Sequence, residues 1–183
     1  MVLNHPNDII TYKNKWVDML EMKVFIPVRK FILENFGRGD FSHIIDNFYV
    51  MSFPSSMSLY NKIRVENYDY VILDFRSQSE KAYQPNDSNL ISLPTEDGKP
   101  FSETTLQVLK RIANSMEKKK IFFTCRQGRN RSVMAATLVI ALKYDKSIEE
   151  SFKIVSKKRK FCRILPEQLN SLGDMLKMIK SSV

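Results

Sequence analysis

Cysteine and histidine are scarce in this chain of 183 residues: two of each, Cys125 and Cys162, His5 and His43. Two thiols exclude a disulfide scaffold and fit a reducing compartment. Two isolated histidines offer no His/Cys cluster, so neither a metal nor a cofactor is expected. No apolar run approaches the ~20 residues that span a bilayer, and the N-terminus lacks a charged-then-apolar leader pattern. The expectation is a chain without an integral membrane segment, intracellular, in the cytoplasm or nucleus. No Walker-type glycine loop is present to cradle an adenine nucleotide, and no repeat, low-complexity tract or aromatic-basic interleaving of an RNA-recognition type occurs.

The chain does carry charge, unevenly distributed. The formal net charge is +9, yet residues 1–104 hold 11 basic and 14 acidic side chains, against 18 basic and 6 acidic in residues 105–183. A strongly positive half steers and holds anionic partners. A 43% hydrophobic content suffices for one domain with a real core.

The most informative stretch lies in the basic half. Lys120-Ile121-Phe122-Phe123-Thr124 reads as a buried strand and Val133–Tyr144 as a helix, which puts Cys125-Arg126-Gln127-Gly128-Arg129-Asn130-Arg131-Ser132 on a strand-to-helix turn. The unpaired N–H groups and positive dipole end of a helix starting near Arg131 favour an anion. The same field, with guanidinium groups beside it, favours the thiolate of Cys125, the form that acts as a nucleophile. Gly128 can take backbone angles closed to other residues and approach a ligand closely. Arg131 offers a planar fork for two phosphate oxygens, and Ser132 a hydroxyl able to donate to the sulfur.

Cys-x5-Arg with a central glycine, a following serine, a strand before and a helix after resembles the signature of the cysteine-dependent dual-specificity phosphatases of the protein tyrosine phosphatase superfamily, over roughly Ile44–Leu176. The resemblance implies an α/β fold: a central, mostly parallel sheet flanked by helices, with the phosphate loop at the carboxyl end of a central strand. It implies that Cys125, Arg131 and Ser132 are catalytic and that Arg126, Gln127, Gly128, Arg129 and Asn130 bind substrate. Asp97, in Leu90-Ile91-Ser92-Leu93-Pro94-Thr95-Glu96-Asp97-Gly98-Lys99-Pro100, matches the general acid, with Glu96 as rival carboxylate. Gln168 matches a glutamine that opens the last helix and in some members positions water; a plain exposed glutamine is the equal alternative. Phe48–Met51 resembles the family's first strand and Tyr70–Asp74 its next parallel one. One position departs: Thr124 stands where the family has a histidine that orders the loop beneath the sulfur.

The implied activity is phosphomonoester hydrolysis on phosphotyrosine and phosphoserine/threonine proteins through a cysteinyl-phosphate. Many protein-directed members carry small residues where Arg126 and Arg129 stand, whereas members acting on multiply charged substrates often place basic residues there. The rival substrate is therefore a polyanion, an RNA 5′-triphosphate or a phosphoinositide. A catalytically weak phosphate-binding module and a sulfurtransferase are further alternatives.

Residues 1–40 read as a helical extension of the catalytic domain, 41–183. Tyr12–Phe36 gives one or two helices interrupted at Pro27, with Trp16, Leu20, Val24, Phe31 and Leu33 available to pack on the domain or on a second copy of it. Ser147 and Glu150 make a capping box for a helix over 147–159, and Pro166 opens a final helix to Lys180. The run Lys157-Lys158-Arg159-Lys160, with Arg163, reads equally as a solvated face or as part of a substrate rim. Cys162 reads as a core or surface thiol, a disulfide with Cys125 under oxidation being the minor alternative.

Overall fold

The computed structural model describes residues 41–53, 69–81, 86–115 and 119–181, so the expected N-terminal helices lie outside the described residues. Five strands form one sheet: β1 (Phe41–Ile45), β2 (Phe48–Ser52), β3 (Tyr70–Asp74), β4 (Leu90–Ser92) and β5 (Lys120–Cys125). Among the described residues four α-helices follow or intervene, α1 (Glu103–Ser115), α2 (Arg131–Lys143), α3 (Ile148–Lys158) and α4 (Pro166–Ser181), with a single 3-10 turn at Gln78–Glu80. The strand order is β1-β2-β5-β3-β4, with β1 antiparallel to β2 and the other three pairings parallel. The expected mostly parallel α/β sheet is therefore present, with an antiparallel edge strand that the sequence did not reveal.

Strand alternation sends Phe48 and Val50, Val71 and Leu73, and Ile121, Phe123 and Cys125 into the main core, while Met51, Tyr70, Ile72 and Phe122 form an apolar cluster of their own. Parallel strands buried on both faces read as continuous apolar runs, which is the character of Tyr70-Val71-Ile72-Leu73 and Ile121-Phe122-Phe123. β1 and β2 join through a two-residue turn in which Asp46 takes the left-handed backbone (φ 46°) that such a hairpin demands.

The helix after Cys125 is the centre of the described region. Eleven of the 13 residues of α2 are buried, Val133 to Ala141 among them, and it packs against β2, β5, α1, α3 and α4. A helix apolar all round belongs inside, and each of its larger aliphatic side chains contributes roughly 1.5–3 kcal/mol by burial. Its N-terminus is thereby fixed relative to the end of β5. The expected capping box closes α3: Ser147 Oγ accepts from the Glu150 amide at 3.1 Å and the Glu150 carboxylate from the Ser147 amide at 2.9 Å. Pro166 opens α4 as its first residue.

Candidate functional site

β5 ends at Cys125 at the middle of the sheet, and α2 begins at Arg131, so residues 126–130 turn between a strand's carboxyl end and a helix N-terminus. The Cys125 thiol is buried, with its Sγ 3.2 Å from Ser132 Oγ. Gly128 lies at φ 66°, and a Cβ there would sit 2.5 Å from the backbone of Met51 and of Ser52. The turn is pressed against the end of β2, which leaves room for glycine alone.

The backbone of the turn is held from outside by one side chain, that of Arg159, and by one main-chain amide, that of Arg163. Arg159, which closes α3, is buried; its Nε donates to the Gly128 carbonyl at 2.9 Å and its Nη2 to the Gln127 carbonyl at 3.5 Å. The Arg163 amide donates to the Arg129 carbonyl at 2.9 Å. In a planar trans peptide C=O and N–H point opposite ways, so the amides of Gly128, Arg129 and Asn130 turn away from these donors. Asn130 is itself latched: its Nδ2 donates to the Arg163 carbonyl and, at 2.9 Å, to Gln168 Oε1, which also accepts from the Leu165 amide at 3.0 Å. Gln168 is therefore buried against the turn, and the exposed-glutamine alternative is set aside. The solvated-face alternative likewise fails for Arg159, although Lys157, Lys158 and Lys160 are exposed.

Arg131 is buried and tied to three separate segments. Its Nη1 donates to the Phe75 carbonyl at 3.1 Å, to the Thr95 carbonyl at 2.9 Å and to Glu80 Oε2 at 2.6 Å, and its Nη2 donates to Glu80 Oε1 at 3.0 Å. Glu80 occupies one edge of the guanidinium in the two-pronged manner of a carboxylate. The other edge, Nε with the second hydrogen of Nη2, is left over; Nε is buried, makes no hydrogen bond and stands 3.3 Å from Asp97 Oδ1. Burial alone would lower the proton affinity of Arg131, but the bond to Glu80 and the nearby Cys125 and Asp97 raise it further above its usual range. Burial likewise opposes the charge on Glu80, yet the bonds from Arg131 and the Ser77 amide hold its carboxyl below the usual range.

Asp97 is 71% exposed, on the loop between β4 and α1, where Gly98 turns the chain at φ 77°. Because Arg131 also grips the Thr95 carbonyl two residues earlier, the guanidinium fixes the height of this loop over the site. The structure thus brings together Cys125, Arg131, Ser132 and Asp97, and it places Asn130 against Gln168. Glu80, Arg159 and Thr95 were missed by sequence reasoning. A faint signal existed for Glu80, which closes the Ser77-x-x-Glu80 capping pattern. Thr124, at the family's histidine position, donates its hydroxyl to the Leu73 carbonyl of β3 at 3.3 Å, so it braces the sheet and not the turn. Cys162 donates to the Arg159 carbonyl at 3.0 Å, and burial pushes its thiol up, keeping it protonated; both cysteines are free.

Solved structures align over nearly all of their own length. PTPMT1 in complex with PI(5)P matches at a TM-score of 0.66 and 18% identity, over 78% of this chain and 98% of that one. The fold is that of the dual-specificity phosphatases. Tk-PTP in its active form matches this phosphatase fold at a TM-score of 0.64 and 18% identity (79% of this chain, 98% of that one). A human tyrosine phosphatase-like serine/threonine/tyrosine-interacting protein does so at 0.65 and 13% (77% and 98%). No family model matches the sequence, and no curated protein matches it by sequence. A fold shared with a phosphatase-like interacting protein does not by itself assign turnover, so activity is argued from the site. No helix among the described residues is long and apolar enough to cross a membrane.

Proposed function

We propose that this chain is a phosphoric monoester hydrolase that works through a cysteinyl-phosphate. The observation that carries the reading is the half-occupied Arg131: Glu80, Phe75 and Thr95 fix the guanidinium while its remaining edge lies beside Asp97. In the first step Cys125 Sγ attacks phosphorus, the P–S bond forms and the P–O bond to the leaving group breaks. Asp97 protonates the departing oxygen. The free edge of Arg131 and the amides of residues 128–130 hold the three non-bridging oxygens as charge spreads over them. In the second step water attacks phosphorus, Asp97 takes its proton, and sulfur leaves as thiolate with Ser132 Oγ donating to it. Orienting that water is the role this reading gives Gln168, which is tied to Asn130.

Phosphotyrosine and phosphoserine/threonine proteins are the first substrate class. A polyanionic substrate, an RNA 5′ end or a phosphoinositide, is favoured by one observation: Arg126 and Arg129 lie within the turn, and Arg163 is bonded to it. That the similarly folded PTPMT1 was solved with PI(5)P agrees with this second reading. The test is phosphate release by wild type and Cys125→Ser from phosphopeptides, phosphoinositides and 5′-triphosphorylated RNA. Cys125-dependent release from one class assigns the substrate, and no release from any of them refutes the enzyme in favour of a phosphate-binding module.

A further inference from the structure

Among the described residues three large apolar side chains are exposed: Phe161 (68%), Leu165 (56%) and Met178. Two of the three fall on one short connection, 159–165, between α3 and α4. This is the connection that grips the phosphate turn through Arg159, the Arg163 amide and the Arg163 carbonyl. Phe161 holds the left-handed backbone, φ 63°, which a bulky residue adopts only under strain. Its ring is exposed, with the Arg129 guanidinium 5.8 Å above it. Lys157, Lys158, Lys160 and Arg163, close to the two apolar residues along the chain, are exposed as well. The connection that grips the phosphate turn thus exposes a phenyl group, which lies against Arg129 of the turn, and an isobutyl group four residues on.

We infer that the 159–165 connection docks on an anionic lipid surface and turns the phosphate site toward phosphomonoesters presented there. The chemistry selects this partner. Basic side chains near anionic headgroups attract, and apolar tips between them enter the boundary with the acyl chains. Single-stranded nucleic acid would use the ring of Phe161 for stacking but has no place for Leu165. The four cations exclude an acidic-poor, uncharged partner. The consequence for turnover rests on the phosphatase reading, whereas docking stands independently of it.

The test measures co-sedimentation of the full chain with phosphatidylcholine vesicles, with and without phosphatidylserine, alongside hydrolysis of a soluble aryl phosphate. The wild type and Cys125→Ser should bind the anionic vesicles equally and pure phosphatidylcholine weakly. Phe161→Ser/Leu165→Ser should lose more than tenfold in binding, and Lys160→Ala about fivefold. Added salt should weaken what remains, while the double variant, whose altered side chains are exposed, should keep a wild-type circular dichroism spectrum, which separates lost docking from a lost fold. Absence of vesicle binding, equal binding by the double variant, or tighter binding to 5′-triphosphorylated RNA than to vesicles would overturn the inference. Vesicle binding without hydrolysis of any substrate would leave docking intact and refute the phosphatase reading alone.

Discussion

Three glycines of the described region invite the same substitution and should answer it in three ways. Gly128→Ala forces a left-handed alanine, costing roughly 1–2 kcal/mol. It also drives a Cβ to 2.5 Å from the backbone of Met51 and Ser52 and from Arg159 Nη2. Backbone in a paired strand cannot step aside as a side-chain tip can, so overpacking adds roughly 1–3 kcal/mol. A total near 3 kcal/mol in a chain of this size lowers the melting temperature by roughly 6–12 °C. Gly98→Ala, at φ 77° with nothing within 4 Å, carries the backbone cost alone and should lose roughly 2–8 °C. Gly173→Ala, within α4 and equally uncrowded, should gain roughly 0.5–1 kcal/mol and melt higher. Differential scanning calorimetry of the three variants against wild type reads the series directly. If Gly128→Ala melts within a degree of wild type, or no lower than Gly98→Ala, the turn is not pressed on β2 and the reasoning fails.

Other expectations follow from the site. Cys125→Ser should abolish phosphate release while phosphate still protects against thermal unfolding. Asp97→Ala should slow the first step most for poor leaving groups, and wild-type rates on a phosphotyrosine peptide would remove Asp97 from the mechanism. Arg159→Met keeps the apolar stem but frees two carbonyls of the turn; a stability loss of roughly 1–3 kcal/mol with a fall in kcat is expected from calorimetry and steady-state kinetics. Folded Glu80 binds its proton less readily than the ordinary value of 4.5. The stability it lends is therefore complete above that pH and declines as pH falls through its lower folded value. Melting curves from pH 7 to 3 should show an acid limb that Glu80→Gln flattens, and an unchanged limb would detach Glu80 from the acid response.

What the sequence disclosed was local. Ile121-Phe122-Phe123 before Cys125, the Gly128-to-Ser132 ending and the apolar body of α2 are contiguous, and each states its own preference. The pair Ser147 and Glu150 is equally self-contained. β1 escaped notice because Phe41-Ser42-His43-Ile44-Ile45 breaks alternation at its end, where the pairing register also shifts. Arg159 was hidden in a run of cations, since its burial depends on carbonyls 31 and 32 positions away. Glu80 pairs across 51 positions with Arg131, and nothing in a local window ties the two. Thr124 stands where the family orders the turn, but its hydroxyl donates to the Leu73 carbonyl of β3, a partner 51 positions away.

Arg131 joins the ends of β3, the Ser77–Glu80 turn and the loop that carries Asp97. Replacing it would do more than remove a phosphate contact: a carboxylate and two carbonyls would lose their donor at once, and the acid loop would lose its anchor. An Arg131 variant is therefore an unsuitable inactive control, because lost binding and lost architecture would read alike. For capturing the natural phosphorylated target, the useful substitutions are Cys125→Ser, which exchanges one atom, and Asp97→Ala, at a side chain that is mostly exposed.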